Sequence, residues 1–232
     1  EGEILGIVGE NGTGKSTFAK ILSGKLTADK SSDYRDIHQY ISYKPQYITR
    51  DYEGTVKQFI QKTSQNYDFS ENMIKILYRP LGVHKLFDTP VKSLSGGQLQ
   101  RTFICACLAK RANLYILDEP SAYLDVEERL KISSIIRSMT QSQHATTICI
   151  EHDIAIIDAL ADRLFLFTGK PGVHGKTIGP LPKREGMNEF LKILDVTFRR
   201  DEETGRARLN KKGSSLDGRQ RRAGEYFYAP RK

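Results

Sequence analysis

No apolar run in this chain approaches the roughly 18 residues that a membrane-crossing helix needs, so a membrane partner is not expected. No leader with a basic start and an apolar middle opens the sequence, which argues against secretion. The chain also lacks an initiator methionine and begins at Glu1, on the edge of a first strand; it is expected to be a piece of something longer. Cysteine is scarce: Cys105, Cys107 and Cys149 show no metal-ligand spacing, and an odd count builds no disulfide framework. Cys105 and Cys107 lie two apart on a predicted helix, where their side chains diverge. Reduced core thiols in a cytoplasmic protein are the expectation. Internal repeats and low-complexity segments are absent too, which leaves solenoids and linkers aside. At 232 residues and 38% apolar content, one large α/β domain, or a domain with an appendage, can bury a core.

Charge is unevenly placed. The net charge is +8, yet from Arg199 to Lys232 eleven Lys and Arg face only five acids, so +6 of it sits at the carboxyl end. Such a tail suits a polyanion, and nucleic acid above all. Arg199 and Arg200, directly after an apolar stretch, are expected to be held in place as contacts to RNA or to a neighbouring domain. Arg219, Arg221 and Arg222 are expected to be mobile.

The stretch "GENGTGKS" (9–16) leaves the apolar "ILGIVG" and enters the helix-forming "TFAKIL". Gly9, Gly12 and Gly14 let the backbone approach a ligand without a Cβ in the way. The amide hydrogens from Asn11 to Thr17 and the helix start then face an anion. Lys15 suits β- and γ-phosphates and the Ser16 hydroxyl suits Mg²⁺, in the spacing G-x-x-x-x-G-K-S. This reads as a nucleotide site. In "LYILDEP" a short buried strand delivers Asp118 and Glu119 to its carboxyl end. Asp118 there can hold Mg²⁺, and Glu119 can orient or deprotonate a water. His152 closes a second apolar strand in "IEHD", where it could sense a γ-phosphate. His38, His84, His144 and His174 fit no pattern. "LSGGQ" supplies a second phosphate-suited helix start at Ser95, Gly96 and Gly97, and one nucleotide need not use both starts of one chain.

Periodicity predicts strands at 39–48, ended by Pro45, and at 113–120, 146–153 and 163–167. Helices are predicted at 55–63, 71–79, 93–110 and roughly 126–139. Alternating strands and helices imply a mostly parallel sheet with helices on both faces and ligands at the strands' carboxyl ends.

Taken in order, GENGTGKS, Gln46, LSGGQ, LYILDE, the "SAYLD" stretch and His152 resemble the nucleotide-binding domain of ABC-type ATPases, a P-loop NTPase fold with a helical subdomain, here about 52–110. "DEPSAYLD", "YISYKPQYI" and the tail "GMNEFLKILDVTFRRDEETGRARLNK" resemble the carboxyl-terminal half of subfamily E, the RNase L inhibitor or ribosome-recycling group. The likeness runs from about Gly6 to Tyr228. It implies ATP and Mg²⁺, with Ser16, Gln46 and Asp118 at the metal. It also implies Glu119 as general base with His152 and Gln46, and Gly9, Asn11, Gly12, Gly14, Lys15, Ser16 and Thr17 on the phosphates. Ser95, Gly96, Gly97 and Gln98 would act on the ATP of a partner domain, because such ATPases close two domains head to tail. An ATPase domain is expected over 1–186, followed at 187–232 by a basic extension serving as an inter-domain hinge. Implied partners are the first ABC domain, the small ribosomal subunit with its RNA, and a release factor or its rescue homologue. Rival readings are the ATPase subunit of a transporter and an ATP-gated ribosome clamp with little turnover. Gln98 stands where the group often has glutamate. The adenine-stacking aromatic would precede Glu1, and iron–sulfur clusters would belong to the amino-terminal part that is not in this chain.

Overall fold

The computed structural model describes residues 2–27, 40–64, 68–201 and 207–228. Strand β1 (Ile4–Gly9) is apolar on both faces and lies in the middle of a six-stranded sheet, as a strand covered from both sides must. The other strands are β2 (Ile41–Lys44), β3 (Leu114–Asp118), β4 (Thr146–Ile150), β5 (Arg163–Lys170) and β6 (His174–Pro182). Their order is β2-β3-β4-β1-β5-β6, parallel throughout except for the β5–β6 hairpin. The register sets Asp118 beside Ile150 and Ile150 beside Ile7. The phosphate loop, Glu119 and His152 therefore leave the sheet along one edge.

Helix α1 (Lys15–Leu22) follows the loop after β1. The helical subdomain is built from α2 (Val56–Thr63), α3 (Glu71–Met73), 3₁₀ turns at Val83–Leu86 and Val91–Ser93, and α4 (Gly96–Ala109). Two departures from the sequence reading fall here. The helix predicted over 71–79 is α-helical for one turn only and then widens into a π-helical turn, Ile74–Tyr78, whose Tyr78 is fully buried against Phe69 and Phe87. The strand predicted over 39–48 is confined to Ile41–Lys44, Gln39 lies outside the described residues, and its alternation turns Ser42 and Lys44 inward rather than Ile41 and Tyr43.

Helices α5 (Val126–Ser142), α6 (Ile154–Leu160) and α7 (Lys183–Ile193) complete the layers. Strand β6 was missed in the sequence. It is Gly/Pro-rich and largely exposed, so it carries no apolar alternation to read. The carboxyl end forms a small sheet, β8 (Ala207–Leu209), β7 (Phe198–Arg200) and β9 (Phe227–Tyr228), with helix α8 (Ser215–Ala223). Phe198 and Phe227 stack at 5.6 Å and share one core with Met187, Phe190 and Leu191 of α7 and with Leu164 and Leu166 of β5. Each ring buried there contributes about 1.5–3 kcal/mol. The residue boundary expected at 186/187 thus lies inside α7.

The basic tail is also more ordered than expected. Arg221 pairs with Asp217 at 2.9 Å and with Asp195, so it is anchored, not mobile. Arg200 donates from Nε to Asp158 Oδ2 at 2.6 Å, beside Lys183, which makes it a tie between β7 and α6. Arg206, Arg231 and Lys232 lie outside the described residues. The three thiols are buried and unpaired, and burial pushes each of them up from its ordinary value.

Candidate active site

Gly9 ends β1 at φ 150°, where a Cβ would stand 2.1 Å from the Phe167 carbonyl oxygen, so no other residue fits. Gly14, at φ 98°, is the residue before α1 and offers no side-chain cap. The N–H groups that a serine or aspartate would normally satisfy at a helix start are left to a ligand. Lys15, 6% exposed, folds over the loop: its Nζ donates to the carbonyls of Gly9 and Glu10, both at 2.8 Å. Burial lowers its pKa, against the pull of Glu119 and Asp118.

Asp118 is fully buried at the end of β3, with its carboxylate facing the hydroxyls of Ser16 and Tyr43. Burial raises its pKa, while the neighbouring Ser16 hydroxyl favours the ionised form. A buried carboxylate facing hydroxyls at the base of a phosphate loop is a fit for a hard dication, since oxygen donors and a few waters suit Mg²⁺.

Glu119 follows in a left-handed backbone conformation, φ 48°. For a side chain of this kind that costs on the order of 1–3 kcal/mol and persists only where the surroundings enforce it. They do. Glu119 N–H donates to the Ile150 carbonyl at 2.9 Å, and its own carbonyl accepts from Gln100 Nε2 at 2.8 Å and from Lys44 Nζ at 3.2 Å. Its carboxylate meets two of the residues expected beside it. Gln46 Nε2 donates to Oε1 at 2.7 Å, and His152 Nε2 stands 3.0 Å from the same oxygen. The structure therefore joins Glu119, Gln46 and His152 directly, and sets Asp118 and Ser16 next to them.

The second helix start is closed. Ser95 Oγ accepts from Gln98 N–H at 3.3 Å, while Gln98 Oε1 accepts from Ser95 N–H at 2.9 Å. This reciprocal box caps α4. Gly96 and Gly97 lie over Tyr123, where a Cβ on Gly97 would come within 3.2 Å of the Tyr123 carbonyl. Among the described residues no hydrogen bond or ion pair links Ser95–Gln98 to the phosphate loop. Asn11 and Thr17 lie within the loop and first helical turn as expected.

Three supporting residues escaped the sequence reading. Lys44 and Gln100 hold the Glu119 backbone. Glu151, 3% exposed, accepts from the Ser121 N–H at 2.8 Å and is pushed up by burial. Each is a polar residue inside an apolar pattern, and that was the only signal available.

The ABC transporter family profile matches residues 1–122, over half of the chain. Translation initiation factor RLI1 of Chaetomium thermophilum is 42% identical over 98% of this chain, and ABC transporter E family member 1 of Arabidopsis thaliana is 37% identical over the same share. A solved structure described as ribosome-bound archaeal Pelota and ABCE1 superposes with a TM-score of 0.91 at 46% identity, covering 98% of this chain and 38% of that one. This chain spans only 37% of the first of those relatives and 38% of the second. Among the described residues no helix is long and apolar enough to cross a membrane. ABC transporter E family member 3 of Arabidopsis thaliana, 39% identical over 141 residues, is covered to 78% of its own length; with an ABC nucleotide-binding fold, the chain belongs to the ABC family and, within it, to the E family.

Proposed function

We propose that the chain is the second nucleotide-binding domain of a tandem ABC protein, and that it hydrolyses ATP to drive ribosome splitting or recycling in the cytoplasm. The observation that carries the chemistry is the contact of Glu119 with Gln46 and His152 beside the buried Asp118. The loop amides and Lys15 hold the β- and γ-phosphates. Ser16, Asp118 and Gln46 would hold Mg²⁺, which when bound offsets charge on those phosphates. Glu119 takes a proton from water as the water oxygen attacks the γ-phosphorus, and the bond to the bridging oxygen breaks to release ADP and phosphate. His152 stands against Glu119, where it can respond to the γ-phosphate.

Ser95 to Gln98 serve the ATP of the first ABC domain, whose own signature would cover this site. Residues 1–186 then act as the ATPase unit and 187–232 as the extension toward the other domain. The likenesses to a translation initiation factor and to ABCE1 in a ribosome-bound assembly with Pelota support the small subunit, its RNA and a release or rescue factor as partners. Iron–sulfur clusters belong, on this reading, to an amino-terminal part of the whole protein. Of the two arginines expected at RNA or a neighbouring domain, Arg200 is committed to Asp158, which leaves Arg199, lining a cavity with Arg219 and Tyr228, as the stronger candidate.

A composite site has a kinetic signature. The isolated chain should hydrolyse ATP slowly, at a rate per molecule that rises with concentration or on adding the first ABC domain. A fast rate independent of concentration would overturn the composite site.

A further inference from the structure

The tripeptide Lys44–Pro45–Gln46 leaves β2 and reaches Glu119 at both of its ends. Gln46 donates to the carboxylate at 2.7 Å, while Lys44 donates to the main chain, to the Asp118 carbonyl at 2.8 Å and the Glu119 carbonyl at 3.2 Å. Pro45, with its φ fixed by the ring, sets the two side chains relative to each other. Lys44 is 1% exposed. A buried ammonium is costly, and an apolar side chain would fill an inward position of a strand without that cost. Its hydrogen bonds go to carbonyls of the two acidic residues and not to their carboxylates.

We propose that Lys44 is a positioning residue for Glu119: its buried ammonium pins the Asp118 and Glu119 carbonyls and holds Glu119 in the left-handed conformation from which its carboxylate meets Gln46 and His152. The inference rests on the reading of Glu119 as the base. The left-handed backbone needs enforcement, and among the described residues four main-chain hydrogen bonds supply it at Glu119 itself. The Ile150 carbonyl accepts from the N–H, and the carbonyl is shared by Gln100, Lys44 and, at a longer 3.4 Å, the Ala122 N–H. Gln100 comes from α4, Ile150 from β4 and Lys44 from β2, so the clamp is closed from three directions. Lys44 alone also holds the preceding carbonyl, fixing the peptide plane between the Mg²⁺-suited acid and the base.

The test uses the full-length protein with Lys44→Met, which keeps length and removes the donors. Turnover should fall ~10–100-fold, the penalty of a base displaced by about an ångström. Affinity for a fluorescent ATP analogue should stay within about threefold, because the phosphate contacts remain. In a Glu119→Gln background the same substitution should change the residual rate less than about twofold, since the group being positioned is already gone. Turnover close to wild type, or an equal loss in both backgrounds, would overturn the proposal. Should Lys44→Met not fold, Lys44→Gln, which retains a donor for one carbonyl, carries the same comparison: an intermediate turnover supports the clamp and wild-type turnover overturns it. Normal hydrolysis by Glu119→Gln alone would remove the base assignment itself, whatever Lys44 does, and the two failures are thereby told apart.

Discussion

Two helices of this chain start on glycine-rich loops, and they treat their first N–H groups in opposite ways. Helix α1 begins after Gly14 with no side-chain acceptor and no acid in its first turn, over a buried lysine. Helix α4 begins after Ser95 with a complete reciprocal cap. The first start is organised for an anion before any anion arrives, because its donors have no other use. At the second, a phosphate must displace the bond from Gln98 N–H to Ser95 Oγ, so binding there costs about what a helix cap is worth. That difference fits the proposed division of labour, in which the phosphate loop would be ready for a nucleotide within this chain and the second start would open only when a partner domain presents one.

Chemistry and binding separate most sharply at Glu119. Glu119→Gln leaves both helix starts untouched and removes the base, so hydrolysis should drop by about 10²–10⁴-fold with ATP affinity preserved. Near-normal turnover, measured with both ABC domains present, would rule out the base assignment. A smaller effect should distinguish the two starts directly. At Gly14, φ 98° is strained for any residue with a Cβ, so Gly14→Ala should weaken ATP binding roughly tenfold. A Cβ at Gly96 would meet Tyr123 at an ordinary 3.8 Å, so Gly96→Ala should leave the isolated chain's own affinity for ATP unchanged. Equal losses from both, by titration with a fluorescent nucleotide, would erase the contrast.

The same contrast explains what could be read in the sequence. Both starts were legible because each is a local device, in which glycine, lysine and serine at fixed spacing carry their own physics. Asp118, Glu119 and His152 were legible because apolar strands deliver them. The clamp around Glu119 was not. Lys44, Gln100 and Ile150 lie on three elements far apart in sequence, brought together by the order β2-β3-β4 and by the packing of α4 on β2 and β3. The β6 hairpin arm was hidden by its exposure, since a strand with little to bury needs no pattern. At the carboxyl end, charge count suggested mobility, whereas Asp195 and Asp217 anchor Arg221, and Phe198 and Phe227 tie the small sheet to the main core.

The two serines give the finest discrimination. Ser95 closes the cap of α4, and Ser95→Ala removes the acceptor for Gln98 N–H, so the unfolding free energy should drop by about 1 kcal/mol. Ser16 sits inside the first turn of α1 and caps nothing; its hydroxyl faces Asp118. Ser16→Ala removes no cap, only a hydroxyl that faces Asp118, so it should cost urea unfolding of the nucleotide-free chain less than Ser95→Ala does. Its effect should appear instead when Mg²⁺ is added. Wild-type chain should gain nucleotide affinity with the metal, and the Ser16 variant should gain less. For Ser95→Ala the pattern reverses, with stability lower and the metal-dependent gain intact. If Ser16→Ala destabilises the free chain as much as Ser95→Ala does, Ser16 is part of a cap, and α1 is not the open helix start that its geometry describes.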